Sequence, residues 1–284
     1  MSTLEALLLG VIQGLTEFLP VSSSGHLMIG QHLLGMSEPQ LLFDIILHVG
    51  TLGAVVAFYR DDVLSVVRGL YSGIVGGFQE RSLDAAVEPE GMRLSLLVLL
   101  TMLPTGIIGV FLDKLLDPDS GTRIITVQVV CVLLLVNGAV LFANRFLRNR
   151  EPAENEGRFT LWNITPAMAL MIGVAQGMAV APGFSRSGFT ITLALILGVW
   201  RTDAARFSFL MSIPAILGAL VFKFEPGVFT SGAIELLPLA VGAVSSAVVG
   251  YVAILVLVSL LEKAQFFHFS WYCWALGIAG LFLL

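Results

Sequence analysis

The chain has 284 residues, of which 57% are hydrophobic and only 12% charged, and its mean hydropathy of +0.92 excludes a soluble globular domain. Its net charge of -5 is spread over connecting segments, which sets nucleic acid aside as a partner and leaves an all-α integral membrane protein as the expected class. No Lys or Arg precedes Arg60, so no cleaved leader is expected, and Cys131 and Cys273 sit in apolar runs without metal or redox spacing.

Residues 3 to 18 are apolar but stop at Leu19-Pro20, short of the roughly 20 residues that cross a bilayer, and the segment from Leu27 to Leu34 is shorter still. Two half-length helices around a Pro/Ser/Gly break predict a re-entrant hairpin. Residues 41 to 59 can span and end at Arg60-Asp61-Asp62. The following loop, 60 to 93, carries Arg60, Arg68, Arg81 and Arg93, with a partly amphipathic portion suited to the interface. Spans are expected at 94 to 112 and 124 to 143. The connector between them has Lys114 and Arg123, whereas 144 to 161 has Arg145, Arg148, Arg150 and Arg158, so the positive-inside rule places 60 to 93 and 144 to 161 in the cytoplasm.

The opening pattern then returns. Gly173 through Phe189 aligns without gaps to Gly10 through His26 at an offset of 163, with Gly10/Gly173, Gln13/Gln176, Gly14/Gly177, Ser22/Ser185, Ser24/Ser187 and Gly25/Gly188 among the identities. Each copy reads as a broken hairpin followed by a span, repeat 1 over about 1–60 and repeat 2 over about 162–224. The topology count makes them an inverted pair, within one membrane domain of about six spans and two re-entrant hairpins. The span of repeat 2 is expected at Phe207 to Val221, and the remaining spans fall in about 94–143 and 232–284.

Facing each other, the two broken turns combine Glu17, Ser22, Ser23, Ser24, Gly25 and His26 with Ser185, Arg186, Ser187 and Thr190. A carboxylate in hydrocarbon costs roughly 2.5 to 3.5 kcal/mol on insertion scales, so it needs a partner or a task. The inventory suits a phosphate. Arg186 offers a planar donor fork, the hydroxyls and helix-start N–H groups offer a cradle, and Glu17 and His26 offer proton transfer. Glu17 is also a hard oxygen ligand for Mg or Ca. Against this stand a purely structural Glu17–Arg186 ion pair and serines that only satisfy backbone at helix breaks. Gln13, one turn before Glu17, is placed to orient it. Asp44 and His48, one turn apart in the span after the first hairpin, have two readings, lining the same cavity or forming a satisfied pair within the bundle, of which the second is favoured.

The stretches Gln13-Gly14-Leu15-Thr16-Glu17-Phe18-Leu19-Pro20-Val21-Ser22-Ser23-Ser24-Gly25-His26 and Pro182-Gly183-Phe184-Ser185-Arg186-Ser187-Gly188-Phe189-Thr190 resemble the two signature regions of the bacitracin-resistance-type undecaprenyl-diphosphate phosphatases. The resemblance covers nearly the whole chain. It implies hydrolysis of an isoprenoid diphosphate lipid, undecaprenyl diphosphate, to the monophosphate, which recycles the carrier for cell-wall glycans. It further implies a divalent cation, a homodimer, the bacterial plasma membrane and bacitracin resistance. The family's acidic motif falls on Gln13 and Glu17, its histidine on His26, and its second motif on Pro182, Gly183, Ser185, Arg186, Ser187 and Thr190. Gln at position 13 leaves one carboxylate fewer for a metal. Two mechanisms follow: Ser23 attacks phosphorus with Glu17 or His26 as base, the favoured version, or Glu17 activates a metal-held water while His26 protonates the leaving phosphate. The rival is a polyprenyl-phosphate transporter, since inverted repeats with broken helices also serve transport.

Overall fold

A computed structural model describes residues 1–36, 41–78, 89–116, 125–147, 158–222 and 235–284. Among the described residues the chain is all helix apart from short turns and isolated bridges: α1 (Thr3–Phe18), α2 (Ser23–Leu33), α3 (Leu41–Phe58), α4 (Arg60–Phe78), α5 (Pro89–Leu116), α6 (Val127–Leu147), α7 (Pro166–Met178), α8 (Arg186–Ile196), α9 (Arg201–Phe222), α10 (Leu236–Glu262) and α11 (Phe269–Leu283). Five of these (α5, α6, α9, α10 and α11 with its leading turn) are long and apolar enough to cross a membrane, and six if the bent pair α3–α4 is one span.

Two sequence expectations change. The segment after Tyr59 is not a loop but the helix α4, which leaves α3 at 91°. Asp61 and Asp62 in its first turn favour that start, because carboxylates stabilise a helix N-terminus. Helix α9 begins at Arg201, well before the expected start at 207, because its early charges are paired. Arg206 reaches Asp62 through Nη2 at 2.6 Å and Nε at 3.2 Å, and Asp203 through Nη1 at 3.1 Å. These bonds tie α9 to α4. Arg81, Arg123, Arg148 and Arg150, part of the charge argument for topology, lie outside the described residues.

The described cations are strongly polarised along the bundle. Arg60, Arg68, Arg93, Arg145, Arg158, Arg201, Arg206 and Lys263 lie at one end, Lys114 marks the other, and Arg186 lies between. Arg93 donates to the carbonyls of Trp162 and Ile164, which fixes the start of α7 at the basic end.

The two halves share element order and caps. Helices α2 and α8 are both 11 residues long, and each starts at a serine, Ser22 or Ser185, whose hydroxyl accepts from the N–H of Gly25 or Gly188 at 3.2 and 3.1 Å. A side-chain oxygen at this position satisfies one of the orphan donors of the first turn.

Each first helix of a pair lies on a long neighbour through small residues. Helix α1 meets α10 at Gly10 and Gly14, where a Cβ on Gly14 would lie 2.8 Å from Gly250 N. Helix α7 meets α5 at Gly173 and Gly177, where a Cβ on Gly173 would lie 2.5 Å from Thr101 O. Such approach lets dispersion act between backbones where no hydrophobic effect drives association. Around the inner ends of these helices sits the main core, with Phe18 edge-on to Phe209 at 5.4 Å and Ile164, Ile172, Ile191 and Phe207 buried.

These contacts make Gly14→Ala an overpacking change, expected to cost about 1–3 kcal/mol and to lower the thermal midpoint of the detergent-purified protein. Gly53→Ala, at a helical site with nothing within 4 Å of the new methyl, is the control and is expected to hold or raise the midpoint.

Candidate active site

Glu17 ends α1 in a pocket where its side chain is 4% exposed. A carboxylate held there needs compensation, and it receives it from both halves of the chain. One oxygen, Oε1, pairs with Nη2 of Arg186, the first residue of α8. The other, Oε2, accepts from Ser23 Oγ at 2.6 Å and from Gln13 Nε2 at 2.9 Å. His48 Nε2 on α3 lies 3.6 Å from the same oxygen. His48 Nδ1 donates to the carbonyl of Asp44 at 2.6 Å, and the Asp44 carboxylate accepts from Gln31 at 2.6 Å. His48 thus bonds the backbone carbonyl of Asp44 while the carboxylate turns to Gln31, and the other ring nitrogen of His48 reaches the site.

Two helix N-termini converge here. Helix α2 starts at Ser23 and α8 at Arg186, and the turns before them are tied together. Ser22 Oγ, besides capping α2, accepts from Gly183 N at 3.1 Å. Ser22 is 1% exposed and holds φ 71°, a left-handed backbone that a non-glycine residue keeps only where surrounding bonds impose it. Asn137, fully buried in α6, bridges both turns: its Nδ2 donates to Pro20 O at 2.9 Å and its Oδ1 accepts from Ser185 N at 3.0 Å.

The predicted residues divide accordingly. Gln13, Glu17, Ser23 and Arg186 meet at one point. Ser22, Ser185, Ser187 and Thr190 are buried with their hydroxyls engaged, Ser185 with Ser187 at 3.1 Å and Thr190 with Arg186 O at 2.8 Å and Ser208 at 2.6 Å. Gly25 gives its N–H to the cap, and Ser24 stands 3.5 Å from the Ser22 hydroxyl. These residues shape the turns. His26 is on α2 but its ring is engaged elsewhere. Nδ1 donates to Ser22 O at 2.8 Å, which makes Nε2 the acceptor for the Tyr272 hydroxyl at 2.8 Å, and the two rings stack at 5.6 Å.

Two contributors, Asn137 and Tyr272, come from helices read from sequence as plain spans, whereas His48 fits the reading that placed it in the cavity. For Asn137, in the middle of the run Val127–Leu147, the available signal was the amide itself, which requires partners in hydrocarbon.

A divalent cation would meet this donor set. Both Glu17 oxygens are engaged, and among the described residues no group of three His, Cys, Asp or Glu could hold an ion. Gln13 Oε1, however, is buried without a partner beside the carboxylate. One carboxylate and one amide oxygen fit a cation that arrives with diphosphate oxygens as its remaining ligands.

The chain matches the family model "Bacitracin resistance protein BacA" over residues 6–279. Among curated proteins, it is 41% identical to an undecaprenyl-diphosphatase of Desulfatibacillum aliphaticivorans, over 99% of this chain and 98% of that protein. It is 40% identical to one from Desulfosudis oleivorans, over 100% and 99%, and 39% identical to one from Alcanivorax borkumensis, over the full length of both. With its motifs at the meeting point of two buried turns and a match along nearly its whole length, the chain belongs to the bacitracin resistance protein BacA family.

Proposed function

We propose that this protein is a membrane phosphatase that hydrolyses undecaprenyl diphosphate to undecaprenyl phosphate and inorganic phosphate. The observation that carries the chemistry is Ser23 Oγ donating to Glu17 Oε2 at 2.6 Å, beside the Arg186 guanidinium and at two converging helix N-termini. A hydroxyl bonded to a buried carboxylate is a nucleophile beside its base, and the N-termini and Arg186 favour the phosphoryl charge. Permeation of a lipid phosphate needs no such pair, and the relatives carry the name of a hydrolase.

In the reaction we infer, Ser23 Oγ bonds to the terminal phosphorus as its proton passes to Glu17 Oε2. The bond to the bridging oxygen breaks, and undecaprenyl phosphate departs. Glu17 passes that proton to the departing phosphate. Water then attacks the phosphoseryl phosphorus as Glu17 takes its proton, the Oγ–P bond breaks, and Glu17 returns the proton to Ser23 Oγ as inorganic phosphate leaves. The leaving group is a phosphate monoester, whose second pKa is about 6, so it needs far less protonation than an alkoxide. His26, held between Ser22 and Tyr272, is assigned to orienting the first turn of α2 around the lipid phosphate rather than to deprotonating Ser23. Ser22, Ser24, Gly25, Ser185, Ser187 and Thr190 hold the phosphate-facing turns in shape. A Mg or Ca ion brought by the substrate would be held by Glu17 and Gln13 Oε1, and would neutralise diphosphate charge.

The architecture we propose is a single membrane domain with an inverted repeat. Chain direction supports it. Gly10, Gly14 and Gly50 meet Gly242, Gly250 and Ser246 respectively, so α1 and α3 both run parallel to α10, which ends at the basic end. The first hairpin, α1–α2, is thus rooted opposite the basic end. The second, α7–α8, starts at the Arg93 contacts and ends near Arg201, at the basic end. On the positive-inside rule the basic end is cytoplasmic, α4 lies along that interface and the site opens toward the other face of a bacterial plasma membrane. By family resemblance the working unit is a homodimer.

Phosphate release from undecaprenyl diphosphate by detergent-purified protein with Mg or Ca tests the chemistry. Glu17→Gln, which keeps the side chain's shape and removes its base, is expected to lower kcat by about 10²–10⁴-fold, as is Ser23→Ala. Near-normal turnover of Ser23→Ala would replace serine attack with direct attack by water. A second expectation concerns Asn137. Asn137→Leu orphans Ser185 N, worth about 1–3 kcal/mol when buried, and leaves Pro20 O only the weak Cys273 thiol donor, so thermal stability and kcat should fall together. A drop in kcat with an unchanged thermal midpoint would instead put Asn137 on the substrate.

A further inference from the structure

The residue before the proposed nucleophile carries backbone strain. Ser22 holds φ 71° and ψ 93°, which a non-glycine residue keeps only where its surroundings over-determine it. Two bonds to its hydroxyl, from Gly25 N and Gly183 N, fix the side chain. A second pair fixes the carbonyl: Ser22 O accepts from the His26 backbone N–H at 3.1 Å and from His26 Nδ1 at 2.8 Å. Because the peptide unit is planar, holding Ser22 O also holds the nitrogen and Cα of Ser23, from which the Ser23 hydroxyl reaches Glu17 at 2.6 Å. The His26 imidazole is thus one peptide plane away from the nucleophile.

That clamp works in one ring orientation only. A carbonyl oxygen accepts and never donates, so Nδ1 must face Ser22 O and carry a proton, and in the neutral ring Nε2 is then an acceptor. Rotation about the Cβ–Cγ bond would bring a ring carbon to Ser22 O instead. Tyr272 opposes that rotation twice. Its hydroxyl donates to Nε2 at 2.8 Å, and its ring stacks on the imidazole, 7° from parallel with centroids 5.6 Å apart. Tyr272 is itself on a braced turn of α11. Cys273, beside it, is buried and accepts from Asn137 Nδ2 at 3.4 Å, and Trp274 Nε1 donates to Leu135 O at 3.0 Å, so this turn is fastened to α6. The Tyr272 hydroxyl meets the imidazole, whereas Glu17, Ser23 and Arg186 are engaged with one another, so its influence on them is indirect. We infer that Tyr272 is a positioning residue of the phosphatase: through the His26 ring its hydroxyl holds the Ser22 carbonyl, and with it the peptide plane that aims Ser23 at Glu17. The inference rests on the reading of Ser23 as the nucleophile, and it adds α11 to the elements that set that aim.

The test is a double-mutant cycle on phosphate release from undecaprenyl diphosphate by the full-length, detergent-purified protein. Tyr272→Phe keeps the stacked ring and removes only the hydroxyl. It should lower kcat by about three- to tenfold, the range set by one neutral hydrogen bond, and leave KM unchanged because Tyr272 does not touch the substrate. His26→Asn places a shorter amide donor toward Ser22 O and cannot reach Tyr272, so adding Tyr272→Phe to it should have no further effect. Factors that multiply in the double variant overturn the inference, as does an unchanged kcat in Tyr272→Phe. A raised KM with kcat intact overturns it too, by putting the hydroxyl on the substrate. Absence of phosphate release from the unmodified protein sinks the phosphatase reading and this role with it, whereas any of the other failures beside an active unmodified protein sinks this role alone. A second measurement applies where the double variant does not fold. With 15N-labelled histidine, at a pH above the ordinary imidazole range, the His26 ring, assigned by its loss in His26→Asn, should show a protonated Nδ1 and an Nε2 resonance that shifts in Tyr272→Phe. A protonated Nε2, or an Nε2 resonance that does not move, overturns the assignment.

Discussion

The structure depends on a carboxylate that is placed where a carboxylate is costly. Glu17 is buried between helices, and the site is arranged so that each of its oxygens has a donor: Arg186 on one, Ser23 and Gln13 on the other. A buried ion pair is weak evidence for stability, because desolvation cancels much of the attraction. It is good evidence for a constraint, since removing one partner strands the other at a cost of about 3–5 kcal/mol. Glu17 belongs to the first half of the chain and Arg186 to the second, so the pair ties the halves at the point where the chemistry must occur.

The 163-residue offset explains how one site comes from two similar halves. Under it, Ser23 is the counterpart of Arg186, each the first residue of an 11-residue helix capped by a serine. Glu17 is the counterpart of Val180, and His26 of Phe189. Gln13 and Gln176 are counterparts and keep a buried amide oxygen without a partner, but Gln13 donates to Glu17 and Gln176 to Thr105 at 3.1 Å. The backbone solution is shared: a glycine-faced helix on a long neighbour, a break, and a capped second helix. In the proposed reaction the chemistry is divided, with the base and nucleophile from one half and the cation from the other. Ser22 and Asn137 hold the two turns in register, and neither performs chemistry in this scheme.

What the sequence revealed and what it concealed follow from where the information sits. Glu17, Ser23, Arg186 and Gln13 were legible because polar groups at a helix break in an apolar chain are costly, and because the break occurs twice. The roles of Ser22, Ser185, Ser187 and Thr190 were not, since a hydroxyl near a phosphate motif reads the same whether it faces ligand or backbone. Only the bonds to Gly25, Gly183, Gly188 and Ser208 separate the two. Tyr272 approaches from a helix distant in sequence, so no local pattern could place it, whereas His48 was visible one turn from Asp44 in the span after the first hairpin. The start of α9 was misplaced because Arg201, Asp203 and Arg206 look like a loop until Asp62 is seen to neutralise part of their charge. The same pairing makes a helix of the segment after Tyr59.

Exposure then orders the site along an approach path. The side chain of Glu17 is 4% exposed, that of Arg186 19% and that of His48 30%. A diphosphate entering from the open side therefore meets the imidazole and guanidinium before the carboxylate, and its negative charge is accommodated before it nears a like charge. The Ser23 hydroxyl, on a half-buried residue, already donates to that carboxylate. The lipid tail needs no pocket of its own, because the helices that frame the site present apolar residues to the bilayer. Only the headgroup has to leave lipid for protein, and the two broken helices provide donors at that depth without opening an unsatisfied backbone to hydrocarbon.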